Sequence, residues 1–260
     1  MKRTLLIVAA ANSLFLTLLA WPAPAFEQNS LAELTRTNKC VNCDLSGADL
    51  IKAKLRSADL SGANFSKASL TGADLSGANL RGAHLRGTNL KGATLKGANF
   101  NKADLVETVL AGLDLTNCNF EWADLHRANL KRAVLAKANL KRTRLQKANL
   151  RYGNLQGANL ALADLENADL YRADLRYAYI SQANLKGANL AGTKLDGANL
   201  RGANLAGANL TGANLNGADL KDVNLTGADL TGASLKRAIL RGAALVDAKL
   251  TGAKLDGAIR

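Results

Sequence analysis

A large apolar residue recurs at every fifth position from Leu45 to Leu255 without a single insertion. Of these 43 centres, 39 are Leu and the others are Phe65, Phe100, Phe120 and Ile180. Ala usually stands two residues before a centre, Asn or Asp one before, and Gly often two after, as in Ala203-Asn204-Leu205-Ala206-Gly207. A period held this long selects the backbone before any other feature does. An α-helix cannot use it. At about 3.6 residues per turn, five residues advance about 140° and scatter the centres around the whole circumference. Glycine at this frequency would also cost about 1 kcal/mol per residue in a helix interior. A straight strand fails as well, because side chains alternate with period two and an odd spacing sends successive centres to opposite faces.

The period works if the chain turns a corner in every repeat. Ala and the centre differ by two positions, so one short extended segment points both inward. The chain then turns and the next segment does the same. The result is a continuous coil with Ala and Leu inside and the other three positions outside. Glycine marks the corner: 22 of the 23 lie two residues after a centre, and Gly153 is the exception. So specific a slot implies positive φ or tight backbone crowding. Other residues fill it often, so the strain there has to be tolerable.

The motif Ala-(Asp/Asn)-Leu-x-Gly resembles the pentapeptide-repeat family over residues 40–260. The resemblance implies an all-β fold, a right-handed quadrilateral parallel β-solenoid with four repeats per coil. On that geometry the chain builds a little under eleven coils, about 50 Å long at about 4.8 Å between strands. Leu burial alone does not offset the entropy of ordering each repeat. Coil-to-coil hydrogen bonds, Ala packing and stacked Asn must contribute the rest.

The N-terminal residues read as a secretory signal. Lys2 and Arg3 supply the positive start, Leu5 to Ala20 is largely apolar, and Ala23-Pro24-Ala25 fits cleavage before Phe26. The same run also fits an uncleaved anchor, although it is shorter than the ~20 apolar residues of a span. The expected organisation is a signal peptide at 1–25, a cap segment at 26–39 and a solenoid at 40–260. In the cap, Ser30 and Glu33 have capping-box spacing. A helix near Leu31 to Thr37 would then shield the first coil from edge pairing. At the other end the repeats run to Arg260 with no residues left over for a cap. Homodimerisation through that coil, or simple fraying, is expected.

Cys40 falls in the centre register and Cys43 in the Ala register, so both can point inward. After export a stapling disulfide or a buried pair ranks first. A thioredoxin-like site lacks its βαβ surroundings. Haem attachment lacks the following His, since Asp44 stands there, and zinc lacks two further ligands. Cys118 occupies an Ala position and reads as a small buried residue.

Little else points to chemistry. The Asn and Asp before each centre could suggest a calcium ladder, but short polar side chains at corners bond local backbone, and aligned Asn can stack between coils. His84 and His126 have no evident nucleophile nearby. Neither catalytic residues, a resident metal nor any cofactor is expected. The formal charge is +13, or +11 once Lys2 and Arg3 leave with a signal peptide. Acidic, DNA-like members of the family bind a topoisomerase; this chain has the opposite sign and an export signal. Nucleic acid is disfavoured for the same export signal and for want of a motif.

The middle of the chain is irregular. Between about Phe100 and Lys186 the corner slot holds Trp122, Arg127, Arg132, Lys137, Arg142, Lys147, Tyr152, Arg172 and Tyr177. No acidic residue occurs from Leu125 to Ala163, while nine Lys or Arg do. With four repeats per coil, Arg132, Tyr152 and Arg172 stack in one column and Lys131, Arg151 and Tyr171 in the next. This face is the candidate binding surface for a protein partner, an anionic ligand or a membrane surface. A solvated basic face that merely keeps the rod soluble is the alternative. The residues therefore point to a non-catalytic interaction scaffold, exported to a periplasm or thylakoid lumen. The cyanobacterial placement follows from resemblance to exported proteins with Cys-x-x-Cys-Asp-Leu.

Overall fold

The computed structural model describes residues 25–259; the expected signal segment lies outside the described residues but for Ala25. One helix, α1 (Ala25–Thr37), leads into a right-handed quadrilateral parallel β-solenoid. Each strand is so short that it forms a single parallel bridge, pairing residue i with residue i+20 from Lys39↔Asp59 to Ile239↔Ile259. Twenty residues, or four pentads, therefore make one turn of the coil.

The repeat can be understood as an accounting of five backbone N–H groups, each of which needs a partner. In the repeat around Leu45, the centre N–H donates to the Asn64 carbonyl at 2.8 Å, and the corner Gly47 N–H to the Ser66 carbonyl at 2.9 Å. The Ala48 N–H closes the turn on the Leu45 carbonyl at 3.1 Å. In the opposite direction, the Asn64 N–H reaches back to the Cys43 carbonyl at 2.9 Å. That leaves the N–H of Ser46, the first turn residue, and the Asp44 side chain accepts it at 3.0 Å. Asn or Asp therefore precedes the centre because the corner leaves one donor that only a short side-chain acceptor reaches. The same side chains also ladder between coils. Asn79, Asn99, Asn119 and Asn139 each donate to the residue twenty before them, at 2.9–3.2 Å.

The corner slot has positive φ throughout, from Gly47 at 70° to Gly257 at 69°. Positive φ at the third residue of a hydrogen-bonded turn is the type II signature and explains the concentration of glycine there. The non-glycine residues in the slot adopt the same conformation, such as Arg132 at 59° and Tyr152 at 58°.

Inside, centres and Ala form one continuous core in which Leu45 to Leu240 are almost wholly buried. Phe100 and Phe120 stack face to face, with centroids 4.9 Å apart and planes within 2°. Cys118 is buried, and burial pushes its thiol up to about 12.

A short helix caps the N-terminal end as expected, but it extends further toward the N-terminus than Leu31. Ser30 is not a helix cap; it lies inside α1 and is buried. The helix already runs at Ala25, the first described residue, and Ala25, Glu27 and Gln28 are good helix formers. Leu34 joins the core and Leu31 packs beside it, so α1 covers the first coil. The helix ends at Asn38, whose φ of 55° and N–H bond to the Leu34 carbonyl at 2.9 Å make a left-handed C-terminal cap. Beneath it, Cys40 and Cys43 are joined as a disulfide with Cα atoms 5.3 Å apart. At the other end, Leu245, Leu250 and Leu255 are only partly buried and Ile259 is exposed.

The ladder is interrupted at one place. Among the described residues, the bridges Asn89↔Val109 and Thr94↔Asp114 are missing from an otherwise unbroken series. The cause is legible in the Ala slot. Side chains there lean toward the preceding coil, as the Thr88, Thr108 and Thr143 hydroxyls show by donating to the carbonyl 23 residues earlier. Leu113 occupies such a slot with a larger side chain, and it borders the gap together with Leu90. The coil below is held off, while Leu113 still accepts from the Val134 N–H above at 2.9 Å.

Two outcomes follow. Leu150→Asp buries a carboxylate in a fully closed core and should destabilise the rod by several kcal/mol, read as a lowered and broadened thermal transition. The Cys118 thiol should stay unmodified by a thiol reagent at pH 8 in the native protein and react only after denaturation.

Candidate interaction face

Because the corner slot has left-handed backbone, its side chain projects outward from the edge of the square section. Placing a non-glycine residue there costs on the order of 1–3 kcal/mol. Outside residues 117–182, most corners avoid this with glycine. From Asn117 to Gln182, however, Gly157 is the only glycine left in the slot, and Trp122, Arg132, Tyr152, Leu162, Arg172 and Tyr177 are among its occupants. The strain is concentrated where side chains would be useful on the surface.

The structure brings most of the predicted face together. The Tyr152 N–H donates to the Tyr171 carbonyl at 3.0 Å, which sets their columns side by side, and the two rings meet edge to face with centroids 5.6 Å apart. The Arg151 guanidinium lies 4.7 Å from the Tyr171 ring centre and 5.7 Å from that of Tyr152. Arg132 approaches Tyr152 at 5.9 Å and Arg172 approaches Tyr171 at 5.2 Å. Each such contact contributes about 0.5–1 kcal/mol at an exposed site. Together they hold three guanidinium groups and two phenols as one array across three coils. Lys131 lies exposed beside Arg132 but joins no ring.

Sequence reasoning missed two parts of this surface. Asp169 accepts from Arg151 at 2.9 Å and offsets its charge locally. The outward cation set is therefore Lys131, Arg132 and Arg172. The signal for Asp169 was present, since position 169 stands eighteen residues after 151 and so one coil on, two places back. On another corner, Arg142 covers Trp122 at 4.9 Å. Tyr177 and Tyr179 are both more than half exposed, at 60% and 57%. Tyr179 replaces the usual Asn of its repeat, which was the available sign. Tyr177 also accounts for Gly197, where an added Cβ would stand 2.9 Å from the Tyr177 ring.

Among the described residues there is no cluster of three or more His, Cys, Asp or Glu able to hold a metal. None of their helices is long and apolar enough to cross a membrane. Most carboxylates with a perturbed pKa serve the repeat. Asp44, Asp59 and Asp74 are held below the ordinary carboxylate value chiefly by the hydroxyls of Ser46, Ser61 and Ser76, and Asp114 and Asp229 by Thr116 and Thr231. Burial pushes Asp174 up, but hydrogen bonds from Arg176 outweigh it and the net direction is down.

The profile described as pentapeptide repeats (8 copies) matches residues 43–82, 73–112, 114–151, 154–187, 183–222 and 218–257. A comparison with curated proteins finds no match. Among solved structures, the chain is similar to HetL, a pentapeptide repeat protein involved in heterocyst differentiation regulation from the cyanobacterium Nostoc sp. strain PCC 7120. The identity is 42%, over 75% of this chain and 86% of that one, with a TM-score of 0.54. It is also similar to QnrB1, a plasmid-mediated fluoroquinolone resistance protein, at 22% identity over 77% of this chain and 88% of that one, with a TM-score of 0.42. A third similarity is to a pentapeptide repeat protein of the Arabidopsis thaliana thylakoid lumen, at 29% identity over 49% of this chain and 68% of that one, with a TM-score of 0.16.

The depressed carboxylates fix the sign of the acid response. The unfolded chain binds protons near the ordinary value of 3.8, before the folded chain does. Their stabilisation is complete above that value and is lost as pH falls through the lower folded values. The thermal midpoint should therefore be nearly level above about pH 5 and fall progressively below about pH 4, as followed by circular dichroism.

Proposed function

Because the chain belongs to the pentapeptide-repeat family, we propose that it is a non-catalytic scaffold that docks an acidic protein partner on the mid-rod corner of Lys131, Arg132, Arg151, Tyr152, Tyr171 and Arg172. The observation that carries this reading is the arginine–tyrosine array itself. Arg and aromatic side chains are the residues that most often anchor interfaces. Here they are pre-ordered by mutual contact, so docking immobilises fewer free side chains. They also sit on corner backbone that would be less strained with glycine. A regulatory role like the one named for HetL would suit a rod that acts by contact.

The compartment belongs to the same reading. The basic start at Lys2 and Arg3, the apolar run to Ala20 and the Ala23-Pro24-Ala25 site support export, to a periplasm or a thylakoid lumen. An oxidising destination suits the Cys40–Cys43 pair. The partly exposed Leu245, Leu250 and Leu255 support pairing of the last described coil with a second copy. A second reading shares the cationic face: with Lys131, Arg132 and Arg172 projecting from one corner, it could rest on an anionic lipid surface.

The Lys131→Glu, Arg132→Glu, Arg172→Glu variant separates these readings, and its exposed positions leave the core intact. Capture of acidic protein from the native compartment at physiological salt should be lost in the variant, with an unchanged melting curve. Retention of the wild type on phosphatidylglycerol vesicles, lost in the variant, would favour the lipid reading instead. If the variant matches the wild type in both assays, the face is only solubilising. Leu250→Lys should reduce any dimer seen by sedimentation to monomer.

A further inference from the structure

The interrupted ladder leaves backbone groups facing across a gap. Among the described residues, Leu90, Gly92 and Leu95 do not donate to the coil above, whereas Leu110, Gly112 and Leu115, one coil later, donate to Asn129, Lys131 and Val134 at 2.7–2.9 Å. Val109 and Asp114 likewise do not donate to the Thr88 and Ala93 carbonyls, although Asn129 and Val134 make the equivalent bonds at 3.0 and 2.9 Å. Between the lips lies a groove of about 400 Å³ bordered by residues of both coils, including Thr88, Leu90, Val109 and Leu113. Its volume falls within the range of small ligand sites.

We propose that this groove docks a short extended segment of a partner polypeptide, which pairs by its main chain with residues 88–90, the straight arm of the lip before its corner at Gly92. Three features select that occupant. The arm before the corner carries an unmet carbonyl at Thr88 and an unmet N–H at Leu90, the pair that makes one parallel bridge elsewhere in the rod. An extended main chain presents the complementary N–H and carbonyl. Val109, 59% exposed where other repeats carry Asn or Asp, and Leu113 give an apolar wall for alternate side chains of the segment. Lys91 stands exposed on the lip and complements an acidic side chain on the outward side. The groove lies on the same corner of the solenoid as the arginine–tyrosine array, one coil before Lys131 and Arg132, but none of the array's residues lines it.

Hydrogen exchange on the full chain, with and without a capped Thr-Val-Glu-Val-Thr peptide, tests the proposal. Without peptide, the amides of Leu90, Gly92, Leu95, Val109 and Asp114 should exchange at least about tenfold faster than those of Leu110, Gly112 and Leu115. The peptide should slow the Leu90 amide, and the same peptide N-methylated at both valines should not. Leu113→Ala restores the small residue of the slot. It should close the lips, protect these amides without peptide and abolish peptide binding. Equal exchange of the two sets in the wild type would mean that the lips are shut and would overturn the proposal. So would a peptide that protects nothing, an N-methylated peptide that protects equally well, or peptide binding that persists in Leu113→Ala. If that variant does not fold, the comparison of the two peptides on the wild type decides alone.

Discussion

Everything in this rod depends on keeping neighbouring coils at hydrogen-bonding distance along all four sides at once. Each strand contributes only one bridge, so no single strand pair is stable by itself. The ladder persists because every pentad repeats the same set of donors and acceptors and because the interior is filled to the same thickness at every level. The Ala slot is the sensitive dimension. Ala fits it, and threonine is accepted where its hydroxyl finds a carbonyl in the coil below, as at Thr88 and Thr143. Leucine at 113 is too large, and two bridges are missing below it. A change in a single side chain thus registers as a gap in the main chain, which is expected of a densely packed interior.

The outward positions obey a looser rule. The side chain before each centre captures the turn N–H, but repeats built on Val134, Tyr179 or Ile239 keep their bridges without that acceptor. The corner slot prefers glycine, yet it carries bulky and charged residues through the middle of the rod. What distinguishes that segment is concentration: the costly corners are contiguous, and their side chains contact one another. Tyr152, Tyr171, Arg132, Arg151 and Arg172 are grouped in this way around two rings.

Much of the architecture could be read from the chain because the five-residue spacing excludes the regular alternatives on geometry alone. The positive φ of the corner and the laddering of Asn followed from residue type. The column arithmetic placed Arg132 beside Tyr152 and Arg151 beside Tyr171 before any coordinates. Less could be read where a feature depends on context between coils. Ser30 and Glu33 have capping spacing, but helix-forming residues upstream of them carry α1 back to Ala25. Asp169 is an ordinary member of its own repeat and becomes a partner of Arg151 only once the coils are stacked. Leu113 carries no distinguishing mark in the sequence beyond its size in an Ala slot, and its place beside the missing bridges appears only in the stacked coils.

A stack in which each layer meets only the layers above and below distributes its cooperativity through those interfaces. The interface beneath Leu113 is thinner in hydrogen bonds than its neighbours, so it couples the two parts of the rod less tightly. Under tension or partial denaturation, the segment beneath α1 and the longer segment carrying the tyrosines would behave as two springs in series joined by a compliant link. Strain arriving at one end would be taken up at that link before it reached the other.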